Sequence, residues 1–419
     1  MSRYDGQLAC VRCDRRYRDP AIALVGSGCP HCADTGVPAN VLPVLDLTGL
    51  DHLPVDPAQP GLFRYRAMLP LAPDTRPVSL GEGGTPVVDL PHLAERCGVR
   101  AVFVKDESRN PTWSYKDRLA AVAVSKAVEV GTGTVVVAST GNHGAAVAAY
   151  AARAGLRCVV LTLASVPSTM KTLMQSYGAD VVALRRPADR WSLMRELVAA
   201  RGWMAMSGFA NPPAGSNPYG VDGYKTIAYE LVEQLPQAPD VVVVPVAYGD
   251  GLAGIGRGFA DLAAIGVIDR VPRLIAAEPF GPLAAALASG AAVAGPVPVQ
   301  PSVAFSTASP FGTQQSLAAL RASGGAAFAT PDDEEIIATQ LQLAREAGVY
   351  LEASSVTAAV ALSRAAAAGV VGHRDTVVLI GTSTGLKDVG ATSARLPDVT
   401  VIPPSVEALD DALAARTTT

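Results

Sequence analysis

Three stretches of this 419-residue chain share one layout: a β-branched run, a turn of small residues, then an Ala- or Leu-rich segment. "VVVA" runs into Ser139-Thr-Gly-Asn-His-Gly144, "VVVVPVAY" into Gly249-Asp-Gly-Leu-Ala-Gly254, and "VVLIG" into Thr382-Ser-Thr-Gly385. Continuous β-branched runs suit strands covered on both faces, and their alternation with helical stretches specifies an α/β fold with a largely parallel sheet. The same rhythm marks "AVFVKD", "RCVVLTL", "DVVALR" and "RLIAAEP" as further strands. In such sheets ligands bind at the carboxyl ends of strands, where helix N-termini and bare amides face a crevice. Three small-residue turns of this kind predict one polar, phosphorylated ligand held from several sides.

Between the first strands lies "NPTWSYKDR" (110–118). Asn-Pro-Thr is turn chemistry, and Ser114-x-x-Asp117 ahead of "LAAVAVSKAV" reads as a capping box with Ser114 as N-cap. Lys116 then falls in the first helical turn, where the helix dipole disfavours an ammonium. A solvated lysine can ignore that field. A lysine that must be neutral and nucleophilic, as a Schiff-base lysine must, gains from it.

Net charge is −4 and 17% of residues are charged, so neither a nucleic-acid nor an anionic-membrane surface is expected. "MSRYDGQLAC" has no apolar signal core, and the uncharged stretch 280–320 is broken by prolines and alanine-rich. The expected location is the cytoplasm. Four of six cysteines are organised: Cys10-x-x-Cys13 and Cys29-x-x-Cys32, fifteen residues apart, fit a four-thiolate structural zinc site. "CPHC" alone reads as a redox dithiol, but such a pair needs no second Cys-x-x-Cys at ribbon spacing. Loss of the zinc is expected to loosen the N-terminal region without touching the rest.

Gly249-x-Gly251-x-x-Gly254 after a strand is formally a dinucleotide fingerprint, and Glu278 at the end of the next strand is placed for a ribose. An NAD-dependent oxidoreductase is therefore the alternative of a different class. It leaves the Lys116, Ser139–Gly144 and Thr382–Asp388 segments without a task, whereas an enzyme of pyridoxal phosphate (PLP) uses all of them.

"GEGGTPV" (81–87), "VKDESRNPTWSYKDR" (104–118), "ASTGNHGAAVAAYAARAGL" (138–156), "VDGYKTIAYEL" (221–231), "VPVAYGDGLAGIGRGF" (244–259) and "GTSTGLKD" (381–388) resemble the threonine synthase family in its order. The resemblance implies the type-II PLP fold: two open, mostly parallel α/β domains with the active site between them, here behind a small N-terminal zinc-ribbon-like module. The expected boundaries are 1–45 for that module, 46–110 with 226–405 for the larger PLP-binding domain, 111–225 for the smaller domain, and 406–419 for a flexible tail. Lys116 is implied as the Schiff-base lysine and Asn142 as the partner of the PLP ring hydroxyl. Tyr248, Gly249, Asp250, Gly251 and Leu252 are implied as the phosphate loop, and Thr382 as the hydroxyl at the pyridine nitrogen. Ser139, Thr140, Gly141 and His143 are implied at the substrate, the turn cradling its α-carboxylate. Fold relatives imply a homodimer acting on a small amino acid.

The implied reaction is α-proton abstraction with elimination or replacement, O-phosphohomoserine to threonine first. A β-replacement synthase or a threonine/serine-type dehydratase is next, and a zinc-ribbon interaction protein with a dead enzyme domain last. Departures from the family pattern bear on the substrate. Gly220 stands where the family carries an arginine for the substrate phosphate, and Trp113 replaces a small residue and is expected to narrow the pocket. His143 replaces a threonine, and Asp250 puts a carboxylate into the phosphate loop. Lys225 and Arg109 are the nearest cations by sequence that could substitute for the arginine.

Overall fold

The structure is a computed structural model that describes residues 2–24 and 26–416. The chain forms two compact units, one running to Lys387 and the other starting at Asp388. Three sheets make up the first unit. Strands β1 (Tyr4–Cys10), β2 (Arg16–Tyr17) and β3 (Val41–Leu45) form a small antiparallel sheet in the order β2-β1-β3. Two larger sheets carry the strands expected from the sequence, with β4 (Val87–Asp89), β5 (Ala101–Asp106), β6 (Thr134–Ala138), β7 (Arg157–Leu163), β8 (Asp180–Leu184), β9 (Met204–Ala205), β10 (Val241–Pro245), β11 (Arg273–Glu278), β12 (Ala326–Ala329) and β13 (Thr376–Gly381).

The six-stranded sheet runs β12-β11-β10-β13-β5-β4, parallel except for β4 at its edge. The four-stranded sheet runs β8-β7-β6-β9 and is parallel throughout. β10 is buried at every residue, as a central strand covered on both faces requires. β4, β9 and β12 escape a sequence reading because each has at most four residues, and "AAFA" carries no β-branched side chain. Because β10, β13 and β5 are neighbours, the segments leaving their carboxyl ends lie side by side. Those segments hold Tyr248–Leu252, Thr382–Lys387 and Glu107–Lys116.

The second unit holds a helix at Val406–Arg416, so most of the segment expected as a flexible tail is helical, and residues 417–419 lie outside the described ones. No helix among the described residues is long and apolar enough to cross a membrane.

A buried ion network ties the first unit together behind Lys116. The Arg118 guanidinium donates to both oxygens of Glu107 (2.7 and 2.8 Å) and both oxygens of Glu230 (2.7 Å each). Lys105 Nζ adds a contact to Glu230 at 2.6 Å and donates to Thr85 O at 2.7 Å. Burial alone would raise the Glu230 carboxyl, but the Arg118 and Lys105 charges outweigh it and hold the group well below the usual carboxylate range. Replacing one member strands buried charge, whereas the whole cluster exchanged for apolar groups need not cost anything. Arg118→Met is therefore expected to destabilise the protein by about 3–5 kcal/mol, measured by urea unfolding. A loss below ~1 kcal/mol would show the network to be dispensable.

Candidate active site

Lys116 opens the helix Lys116–Glu129, as the sequence predicts, but the capping arrangement differs. Tyr115 is the N-cap, and the Ser114 hydroxyl is buried with no hydrogen-bond partner. Asp117 turns back instead to Thr112, accepting from its N–H at 2.8 Å and its hydroxyl at 2.7 Å. The Asn-Pro-Thr turn thus takes the carboxylate that a capping box would have kept. Lys116 Nζ has no hydrogen bond or ion pair among the described residues and lies 4.8 Å from the centroid of Tyr115 and 5.6 Å from that of Tyr224.

Of six buried side-chain atoms without a partner among the described residues, three belong to residues near Lys116: Ser114 Oγ, two positions before it, Tyr224 Oη, whose ring lies 5.6 Å from Lys116 Nζ, and His143 Nε2, which feels the Lys116 charge. Buried polar groups in folded proteins are nearly always satisfied, so a cluster of orphans around one lysine marks where a ligand supplies the partners. Burial and, next, the Lys116 charge lower the His143 pKa to about 3, so its imidazole is neutral at any working pH. Tyr224 was not singled out in the sequence. Its position in "GYKT" looks like a helix start, and only the fold sets it beside Tyr115, with ring centroids 4.8 Å apart.

Asn142 is the first residue of the helix Asn142–Ala154. Its Nδ2 donates to Glu352 (2.8 Å) and its Oδ1 accepts from Lys387 Nζ (2.6 Å), which leaves one amide N–H for a ligand. Burial lowers the Lys387 pKa to about 8 against the opposing charges of Glu352 and Asp117. Ser139 Oγ accepts from Gly144 N–H (2.9 Å) and Gly141 N–H (3.2 Å), so the hydroxyl shapes the turn. The backbone N–H groups of Thr140, Asn142 and His143 have no partner among the described residues. The Thr382 hydroxyl meets Ser355 Oγ at 2.6 Å.

Tyr248–Leu252 forms the tight turn into the helix Asp250–Ala264, with Gly249 at φ +75°. A Cβ on Gly249 would lie 1.8 Å from Ser316 Oγ, and one on Gly251 would lie 2.6 Å from the Tyr115 ring, so only glycine fits either place. The Asp250 carboxylate is turned away from any phosphate: Ser216 N–H (2.8 Å), Ser216 Oγ (2.7 Å) and Gln315 Nε2 (2.6 Å) all donate to it. The dinucleotide reading fails on Glu278, which is buried and accepts from the Leu283 and Ala284 amides at 3.1 Å, so no ribose can reach it.

Both sequence candidates for a phosphate cation also fail. Lys225 is fully buried against Asp261 (2.5 Å) and Asp222 (3.6 Å), and Arg109 pairs with Asp106 at 3.0 Å. Position 220 faces the Lys116 helix, where a Cβ would lie 2.8 Å from Leu119 Cγ, so no side chain fits. Arg190, which the sequence reading missed, is buried with only Pro187 O on its Nε at 3.3 Å. It pairs with no carboxylate among the described residues, and its charge reaches the Tyr248 hydroxyl.

The four thiols of Cys10, Cys13, Cys29 and Cys32 converge, their sulfurs all within 4.8 Å of one another. The pairs Cys10–Cys32 and Cys13–Cys29 stand 3.6 and 3.8 Å apart. A tetrahedron with metal–sulfur bonds of about 2.3 Å has edges of roughly 3.8 Å, so the donors fit zinc.

The family profile "Pyridoxal-phosphate dependent enzyme" matches residues 78–383. Threonine synthase of Methanosarcina acetivorans is 33% identical over 415 residues, covering 97% of this chain and 98% of its own. Threonine synthase of Methanocaldococcus jannaschii is 34% identical over 339 residues, covering 79% and 82%. The chain belongs to the threonine synthase family. Its members here are PLP-dependent enzymes of the lyase kind, and the dinucleotide alternative is thereby overturned. The processed threonine deaminase isoform 2 of Solanum lycopersicum shares the fold at a TM-score of 0.62 and 21% identity, over 81% of this chain and 90% of that one. This is the type-II PLP fold.

Trp113 departs from the family pattern in a way the backbone explains. Its φ is +59°, a left-handed conformation that suits glycine and strains a bulky residue. The peptide is held there by its carbonyl, which accepts from Ser383 Oγ (3.0 Å) and Thr384 N–H (3.3 Å). The indole is 47% exposed. Trp113→Gly is expected to be more stable than Trp113→Ala by about 1 kcal/mol, because only glycine is free of the strain. Equal unfolding midpoints for the two variants would remove the strain argument.

Proposed function

We propose that the protein acts on a small amino acid bearing a leaving group, by α-proton abstraction and elimination or replacement, with Lys116 holding PLP. The observation that carries this is the set of unpartnered groups around a lysine with no hydrogen bond or ion pair among the described residues. PLP, when bound, supplies the electron sink for the pair left by α-proton loss. Lys116 Nζ moves that proton. The Asn142 amide aligns the ring, Tyr248–Leu252 offers backbone N–H groups to the phosphate, and Thr382 presents a neutral hydroxyl to the pyridine nitrogen. The free amides at Thr140, Asn142 and His143 hold the substrate carboxylate, while Ser139 and Gly141 shape that turn. Neutral His143 faces the leaving group or the incoming nucleophile as a hydrogen-bond partner without charge.

The purified full chain should be yellow, and borohydride should fix PLP on the Lys116 peptide, read by mass spectrometry. Lys116→Ala should lose the visible band and keep its fold. A colourless protein with no modified peptide at Lys116 would sink this reading.

O-phosphohomoserine to threonine is the first reading, supported by curated threonine synthases 33–36% identical to this chain, and position 220 bears on how well that substrate is used. Phosphate recognition relies on charge-assisted hydrogen bonds, above all from arginine, each worth about 1.5–3 kcal/mol or roughly ten- to a hundredfold in affinity. Position 220 supplies none. Arg190 and Lys387 are the cations left for an anionic substrate group. A β-replacement synthase or a threonine/serine-type dehydratase is the second reading, favoured by the lack of a cation at position 220. We expect kcat/KM for O-phosphohomoserine to fall at least about tenfold below the best of L-threonine, O-acetylserine and O-phosphoserine, assayed with ammonia, sulfite and thiols. Efficient threonine formation with no better substrate in that panel would restore plain threonine synthase activity.

We further propose structural zinc on Cys10, Cys13, Cys29 and Cys32, a larger PLP-binding domain and a smaller one as bounded above with the active site between them, a cytoplasmic homodimer, and no nucleic-acid or membrane partner. Metal analysis should find about one zinc per chain, lowered by Cys29→Ser. Full zinc retention in that variant would favour the redox reading of "CPHC".

A further inference from the structure

The cysteine module and the Tyr248–Leu252 turn are joined by a buried hydrogen-bond chain. Asn40, just ahead of β3, sits against both cysteine knuckles: its carbonyl accepts from Val11 N–H at 3.1 Å, and the neighbouring Ala39 carbonyl accepts from Cys29 N–H at 2.8 Å. Its own Oδ1 accepts from Val41 N–H at 3.0 Å, which fixes the amide and points Nδ2 away from the module. Nδ2 donates to Gln315 Oε1 (3.1 Å) and Ser216 O (3.2 Å). Gln315 Nε2 then donates to Asp250 Oδ1, and Ser216 donates to both Asp250 oxygens. All four side chains are buried. Gly215 completes the junction, since a Cβ there would lie 2.6 Å from Asn40 Nδ2 and 2.7 Å from Gln315 Nε2.

The chain has a direction. Gln315 can present either its oxygen or its nitrogen to Asp250, and only the nitrogen is tolerable beside a carboxylate. Asn40 Nδ2 enforces that choice by claiming the oxygen. Without it the Gln315 amide can turn, and Asp250 loses a buried donor while standing in the middle of the turn assigned to the cofactor phosphate, at the first residue of the helix that follows. A carboxylate released there repels that phosphate.

We propose that Asn40 is a positioning residue for the phosphate turn, through Gln315 and Asp250, so that metal in the cysteine module sets how tightly the cofactor phosphate is held. This rests on the assignment of Tyr248–Leu252 to the phosphate, and it replaces the independence of module and site expected from the sequence.

The test is titration of the full-length apoprotein with PLP, with and without chelation of zinc, followed by absorbance and by the ³¹P resonance of the bound cofactor. Asn40→Ala should raise the PLP Kd about tenfold and shift the ³¹P line, with kcat at saturating PLP within about twofold of wild type. Chelation should raise the Kd to the same extent in wild type and add nothing in Asn40→Ala. Gln315→Met removes the donor to Asp250 without touching the module, and it should reproduce both results if Asn40→Ala folds poorly. A Kd unchanged within twofold in both variants overturns the coupling, as does a zinc effect of equal size in wild type and variants. So does a wild type that carries no metal. A wild type that binds no PLP at all instead ends the assignment of the turn.

Discussion

The position of Lys116 depends on Arg118. Two residues into the same helix, this guanidinium is held by Glu107, at the end of β5, and by Glu230, in the helix Lys225–Gln234. Arg presents a rigid planar fork, so two bidentate carboxylates define its plane and, through it, the rotation of the first helical turn. Lys105 supplies a second cation to Glu230, and Asn110 Nδ2 donates to Glu107 at 2.8 Å. Every segment that bounds the site on this side therefore ends on one buried cluster. Its contribution to net stability is secondary to the geometry it enforces, because a buried ion pair loses in desolvation much of what it gains in attraction.

On that frame the site is assembled from strand ends. β10, β13 and β5 stand side by side, and β6 of the other sheet brings the Ser139–Asn142 turn. Contacts across these segments close the arrangement: Lys387 to Asn142, Thr384 N–H to Trp113 O, and Tyr115 N–H to Thr382 O at 2.9 Å. A strained Trp113 persists because its peptide is held from two sides. Ser114, His143 and Tyr224 keep unpartnered polar atoms near Lys116, while Asp250 and Glu278 are engaged by their neighbours.

The departures from the family pattern are of two kinds. The Asp250 carboxylate is held by donors from Ser216 and Gln315. Gly220 is decisive, because its position is packed against Leu119 and could not carry a cation without moving the Lys116 helix.

Periodicity and local chemistry determined much of this by themselves. The β-branched runs specified the parallel strands, since only strands covered on both faces tolerate such continuous apolar character, and the paired Cys-x-x-Cys spacing specified a converging four-thiolate cluster. The ordered motifs identified the family. The tertiary structure alone decided which side chains are free. Lys225 and Arg109 look available in sequence and are paired, while Tyr224 and Lys387 look ordinary and stand beside Lys116 and Asn142. Ser114 reads as a cap until Asp117 is seen to turn to Thr112. The Asn40–Gln315–Asp250 chain joins residues up to 275 positions apart, and no local signal can announce it. Hydrogen-bond partnership is settled by what the fold brings within 3 Å, and sequence spacing constrains that only inside a single helix, strand or turn.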